Sequence, residues 1–243
     1  MKKVCVITAS RSEYGLLRWT IDGVCKNNNL ELQLVVTGTH LMEEQGYTYR
    51  NIEDDGYPIA AKVNMHIDST TKEAIVRSMG YCSIGMAKTF TKLQPDMIVV
   101  LGDRYELLPI CSAAHISGGD VTIGAIDNEV RNAITMMASL HFPGVEESAQ
   151  NIIRMCNSSG NVWTVGEPGL DNFRRGTLMT RLELAENIGI PIKNKWILVT
   201  LHPETNESLE YNLQMAKNII SLTDCKEDVS IVISKANADF GGN

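Results

Sequence analysis

The sequence has no GxGxxG glycine fingerprint, no Cys-x-x-Cys pair and no stripe of lysine and arginine. The first absence removes the usual signature of a dinucleotide-binding turn. The second removes a zinc or redox motif, because the cysteines at 5, 25, 82, 111, 156 and 225 are scattered and show no histidine–cysteine ligand spacing. They read as reduced structural thiols, with Cys5 and Cys25 on apolar positions. The third absence, with a formal net charge of −7, argues against nucleic acid as the main partner. Long apolar runs are missing too: MIVVL and WILVTL are strand-sized, so no membrane partner is expected. The opening MKKVCVITASR meets Ser10 and Arg11 too soon to hold a signal core, which predicts a first strand and a cytoplasmic protein.

What is present is an ordinary globular composition. At 243 residues, 44% hydrophobic, the chain can bury a sizeable core. Runs rich in Val and Ile that do not alternate predict parallel strands at 4–8, 32–37, 59–63, 97–101, 162–165, 196–201 and 229–234. Between them, helices are expected at 13–26, 42–54, 71–93, 105–114, 128–140, 146–156, 181–188 and 207–222. In the last of these Leu209, Leu213, Ala216 and Ile220 form an apolar stripe. Such alternation predicts a doubly wound α/β fold. Glycine and proline in GEPGLDNFRRG mark a boundary, giving a first domain over 1–165 and the start of a second over 166–243. The two strands after that boundary are too few to bury both faces of a sheet.

Two segments carry chemistry. In 96–106, DMIVVLGDRYE, and in 115–131, HISGGDVTIGAIDNEVR, a strand-like stretch runs into a loop dense with carboxylates and glycine. Open α/β sheets bind ligands at the carboxyl ends of their strands, where Asp103, Arg104, Glu106, Asp120, Asp127 and Glu129 would gather. Several carboxylates in one cleft let an acid and a base coexist near neutral pH. Plainer readings stand beside this one. Asp103 could cap a helix with Arg104 and Glu106 in solvent, and Asp127 could cap the next helix and pair with Arg131. His115 and His141 read as satisfied core histidines. Gly118 and Gly119 allow a close backbone approach or positive φ. In TASRSEYG, Ser10 or Ser12 can cap a helix and Arg11 can reach an anion at its N-terminus, or lie in solvent. His202, in TLHPET, can donate to phosphate or act as a general acid from a strand end, or be a simple loop histidine.

Taken in order, SRSEYG, VTGTHL, VLGDRYE, HISGGD, GAIDNEVRNAIT, LHF, VGEPGLDN, TLHPET and NADFGG resemble the hydrolysing UDP-N-acetylglucosamine 2-epimerases, nearest the branch serving sialic and legionaminic acid synthesis. The resemblance implies a GT-B-like fold of two Rossmann-like domains, the second incomplete here. It implies a reaction on a UDP-sugar that needs no metal and no nicotinamide cofactor, and a homo-oligomer. Carried over by motif, Asp103, Asp120, Asp127, Glu129 and His202 would be catalytic. Arg11, Arg104, Glu106, His115, Gly118 and Gly119 would bind substrate. Two other readings stay open: a fragment that only binds a nucleotide sugar or pairs with a missing half, and a GT-B glycosyltransferase.

Three departures accompany the resemblance. Asn132 stands where the family has histidine, and the chain stops before the family's GNSSSG-type loop. The family also inserts a helix end and an Ile-Pro strand between the GDRYE and HISGG motifs. Here residues 102–117, 16 in all, join Leu101 to Gly118. A parallel crossover takes about 10–12 residues and a strand about 5 more, so a clipped helix or a lost strand is expected.

Overall fold

A computed structural model describes residues 1–68, 71–110, 114–122, 126–193, 195–204, 207–221 and 228–234. Cys111, Cys225 and the NADFGG motif lie outside the described residues. The chain divides into two compact units, Met1–Ile123 with Asp127–Arg175, and Gly124–Ile126 with Gly176–Asn243.

In the first unit the strands are β1 (Lys2–Thr8), β2 (Leu30–Val36), β3 (Ile59–Lys62), β4 (Met97–Leu101), β5 (Ala114–Ile116) and β6 (Leu140–Phe142). All pair in parallel, in the order β3-β2-β1-β4-β5-β6. The helices are α1 (Arg11–Lys26), α2 (Tyr49–Asp54), α3 (Lys72–Leu93), α4 (Asp127–Met137), α5 (Glu146–Cys156) and α6 (Asp171–Arg175). Successive strand residues point to opposite faces, and this splits the core in two. Cys5, Ile7, Val35 and Val100 pack with Cys82 and Met86 of α3 and Val130 and Ile134 of α4. Val4, Val6, Leu34, Val99 and Ile116 pack with Leu17, Ile21 and Val24 of α1 and Ile52 of α2.

Four expectations are corrected. Of the helix expected over 105–114, the described residues hold one 3-10 turn, Tyr105–Leu107, and Pro109 lacks the N–H a helix would need there; residues 111–113 lie outside the described residues. Among the described residues the helix is clipped to that turn, and a strand follows as β5. The helix over 42–54 starts only at Tyr49, after a turn in which Gly46 and Tyr47 take positive φ (76° and 49°). The strand over 162–165 reduces to one bridge, His141 to Val162. Cys25, expected on an apolar position, is exposed, whereas Cys5 is buried.

The second unit holds α7 (Arg181–Ile188), β7 (Lys195–Val199), α8 (Leu209–Ser221) and β8 (Val229–Ile233), with β7 and β8 paired in parallel. A reciprocal Thr180–Glu183 capping box starts α7 and Gly189 in the left-handed region ends it. Two strands cannot cover both faces, and Leu198, Leu209, Leu213 and Ile233 stay exposed. No described helix is long and apolar enough to cross a membrane.

Candidate functional site

The site is set by strand order. The sheet reverses between β1 and β4, so the loops after β1, β4 and β5 share one edge, at the topological switch point. The ladder extends past the strands: Gly102 N–H donates to Ile116 O at 3.0 Å, and Ser117 N–H to Phe142 O at 3.1 Å. Asp103 and Asp120 are thus delivered side by side.

One arginine ties them together. Arg131, in α4 and nearly buried, donates from Nη2 to the Asp103 carboxylate. Its Nη1 donates to Asp120 O at 3.0 Å and to Thr122 Oγ1 at 2.9 Å. The Asp120 carboxylate accepts from the Ser148 hydroxyl of α5. Asp127 stands in the first turn of α4 and Glu129 one position beyond its neighbour, half-buried and exposed respectively. A carboxylate in a helix's first turn is favoured by the dipole.

The HISGG turn is held by its histidine. His115 is fully buried; its Nε2 donates to Gly102 O at 2.7 Å and its Nδ1 accepts from Thr135 Oγ1 at 3.2 Å. Burial pushes its pKa down to about 4, so the ring is neutral. Both ring nitrogens are engaged within the protein, and the side chain fastens the β5 loop to the β4 loop. A Cβ on Gly118 would stand 2.8 Å from His115 Nδ1, and one on Gly119 (φ +83°) would strike Ser148 O. Between them and β5, Ser117 takes φ 57°, a conformation costly for a residue with a Cβ.

Behind Asp103 lies a buried charge cluster. Arg104 donates from Nε and Nη2 to Glu106 Oε1 at 3.1 and 2.7 Å. Glu106 is fully buried, and its Oε1 faces Arg104. Glu13, which the sequence reading missed, is also buried and its Oε1 stands 3.9 Å from Arg104 Nε. The signal for it was available: Ser10-Arg-Ser-Glu13 spells a capping box. Ser10 Oγ accepts from Glu13 N at 3.3 Å, while the Glu13 side chain reaches back to Ala9 N at 2.6 Å. Arg11 is exposed at the start of α1. His202 belongs to the second unit, exposed on the loop after β7, a loop held by Asn212 Oδ1 accepting from Glu204 N at 2.8 Å.

No metal cluster of His, Cys, Asp and Glu occurs among the described residues. An apolar groove of about 660 Å³ opens elsewhere, lined by Val4, Val24, Val99, Ile116 and Phe142 on the α1 face. It carries no pair of carboxylates and is not the candidate site.

In parallel α/β sheets the strand ends at the switch point, where these acidic loops lie, are the usual place for a small ligand. The profile of the UDP-N-acetylglucosamine 2-epimerase family matches residues 23–243, and the chain belongs to that family. It is 29% identical to the GDP/UDP-N,N'-diacetylbacillosamine 2-epimerase (hydrolyzing) of Campylobacter jejuni, over 99% of this chain and 64% of that protein. It is 31% identical to the polysialic acid biosynthesis protein P7 of Escherichia coli, over 100% of this chain and 64% of the relative. The chain thus spans about two thirds of the length of these curated relatives. Among solved structures it resembles the Neisseria meningitidis UDP-GlcNAc 2-epimerase bound to UDP-GlcNAc, with TM-score 0.78 and 18% identity over 99% of this chain and 67% of that one. The fold is the α/β, GT-B-like one expected.

Proposed function

We propose that the chain is the catalytic-loop part of a hydrolysing 2-epimerase that converts UDP-N-acetylglucosamine, or a UDP-diacetamido-sugar relative, to N-acetylmannosamine or its relative plus UDP. The observation that carries this reading is the pairing of Asp103 and Asp120 through Arg131 at the switch point. The names of the relatives support it, three of which are 2-epimerases acting on UDP-linked acetamido sugars.

The chemistry needs a base at C2, an acid or cation for the departing diphosphate, and a proton donor for the opposite face. A carboxylate takes the C2 proton as the C1–O bond breaks and its electron pair leaves with UDP, giving a 2-acetamidoglucal. Water then adds hydroxyl to C1 and a proton returns to C2 with inverted configuration. Asp103 and Asp120 are our choices for the proton transfers, with Asp127 and Glu129 on the neighbouring helix turn. Arg11 and His202 suit the diphosphate. Arg104, Gly118 and Gly119 shape the loops, and neither a metal nor a nicotinamide enters the proposed steps. The setting we propose is a cytoplasmic homo-oligomer.

Incubating the purified chain with UDP-N-acetylglucosamine and with a UDP-diacetamido sugar, while following UDP and free sugar, tests the reading. A second reading, binding without turnover, is favoured by the clipped crossover between β4 and β5. Saturable binding with no UDP released would select it.

A further inference from the structure

Two buried carboxyl groups converge on one guanidinium in this protein. Arg104 gives both Nε and Nη2 to Glu106 Oε1, and Glu13 Oε1 stands 3.9 Å from the same Nε. Among the described residues neither Glu13 Oε1 nor Glu106 Oε2 has a hydrogen-bond partner. Two buried carboxylates against one guanidinium leave a surplus negative charge shielded from solvent, and burying an unpaired charge is costly. A single proton removes the surplus, and geometry says where it resides. Glu106 holds both Arg104 hydrogen bonds, as an anion does. Glu13 has only the Ala9 N–H on its other oxygen, at 2.6 Å.

We infer that Glu13 is a proton-bearing positioning residue of the site, wedged between the β1 turn and the Asp103 loop, whose ionisation draws Arg104 from Glu106 and shifts the loop that carries Asp103. The groups facing it are Arg104, which favours its ionisation, and Glu106 and Asp103, which oppose it, together with the Ala9 N–H of the β1 turn. Burial outweighs the attraction and pushes its pKa up to about 8. The three charged partners all come from the β4 loop, so the proton is coupled to that loop, besides the Ala9 N–H of the β1 turn. The hydrogen bond to Ala9 N explains one oxygen of Glu13 but not its burial against a second carboxylate.

The consequence for turnover rests on the proposed function; the proton itself does not. The direct test follows the Arg104 Nε–H resonance by nitrogen–proton NMR through neutral and mildly alkaline pH, beside the infrared carbonyl band of a neutral carboxylic acid. In the wild type the band and the resonance change together. Glu13→Gln abolishes the band and the titration of Arg104. Glu106→Gln leaves Arg104 to Glu13 and moves the titration down toward the ordinary carboxylate range, which serves if the first variant folds poorly. An Arg104 resonance that does not titrate in the wild type, or a band that survives Glu13→Gln, overturns the inference. In the turnover assay Glu13→Gln carries the alkaline fall in kcat/KM to higher pH. An unmoved alkaline limb, with the Arg104 titration intact, confines Glu13 to a spectator proton and overturns the positioning role. Absence of UDP release counts against the proposed function alone.

Discussion

The Arg131 guanidinium hydrogen-bonds the Asp103 carboxylate, joining the first turns of α4 to the carboxyl end of β4. Because Arg131 also holds the Asp120 carbonyl and the Thr122 hydroxyl, it is the strut between the two acidic loops. Removing one partner of a largely buried ion pair leaves the other groups unpaired and costs more than the pair contributes. Arg131→Met is therefore expected to destabilise the fold by about 3 kcal/mol, measured by urea unfolding. Arg131→Lys recovers only part of this, since an ammonium cannot span both loops.

Glycine has opposite worth at two positions. At Gly119, φ is +83° and a Cβ would meet Ser148 O, so Gly119→Ala should cost about 2 kcal/mol. At Gly23, inside α1, a Cβ meets nothing within 4 Å. Gly23→Ala should stabilise by about 0.5–1 kcal/mol. Thermal or chemical unfolding of the pair reads both.

Histidine burial sets an acid limit. His115 titrates near 4 when folded against 6.5 ordinarily, as does His40, whose ring sits between Thr8 and Thr48. The unfolded chain binds these protons first, so stability is full above 6.5 and falls as pH drops toward 4. Each histidine contributes a slope of about 1.4 kcal/mol per pH unit in that window. His115→Asn should remove about one proton from the slope, read by unfolding at several pH values. Glu13 acts with the opposite sign: its contribution is full below 4.5 and is lost as pH rises through about 8. Measuring the histidine slope in the Glu13→Gln background separates the two.

The fold was legible where elements are long. The apolar runs of β1, β2 and β4 and the helices α1, α3 and α5 declare themselves because each buries a full face or stripe. β5 and β6 do not, since each has only three residues and a histidine at its centre. His115 becomes a strand residue because Gly102 O and Thr135 Oγ1 satisfy its ring nitrogens, a tertiary fact, while among the described residues His141 meets only the Cys156 thiol at 4.0 Å. In the candidate site, Asp103 and Asp120 were readable from strand-end position. The Arg131 link was not, because the sequence offers Asp127 at i−4 as its nearest partner. Glu13 was hidden by the capping-box pattern of its sequence, and only its approach to Arg104 after the next-but-two strand exposes it as a buried acid.

Loss of either carboxylate should be felt in rate, and loss of the Asp103 charge in stability as well, because it leaves Arg131 without its carboxylate partner. Asp103→Asn and Asp120→Asn each remove a proposed proton-transfer group while keeping its shape, and a fall in kcat of about 10²–10⁴ is expected. Circular dichroism checks that the fold persists. Wild-type rates in both variants would remove these two residues from the chemistry.

Turnover in deuterium oxide, with the released sugar read by mass spectrometry and proton NMR, tests the central claim most directly. The account predicts UDP release with one deuteron at C2 and inverted configuration there, lost together in Asp103→Asn and Asp120→Asn. A released sugar that keeps its C2 proton and its original configuration would contradict it, because no C2 proton would then have been taken.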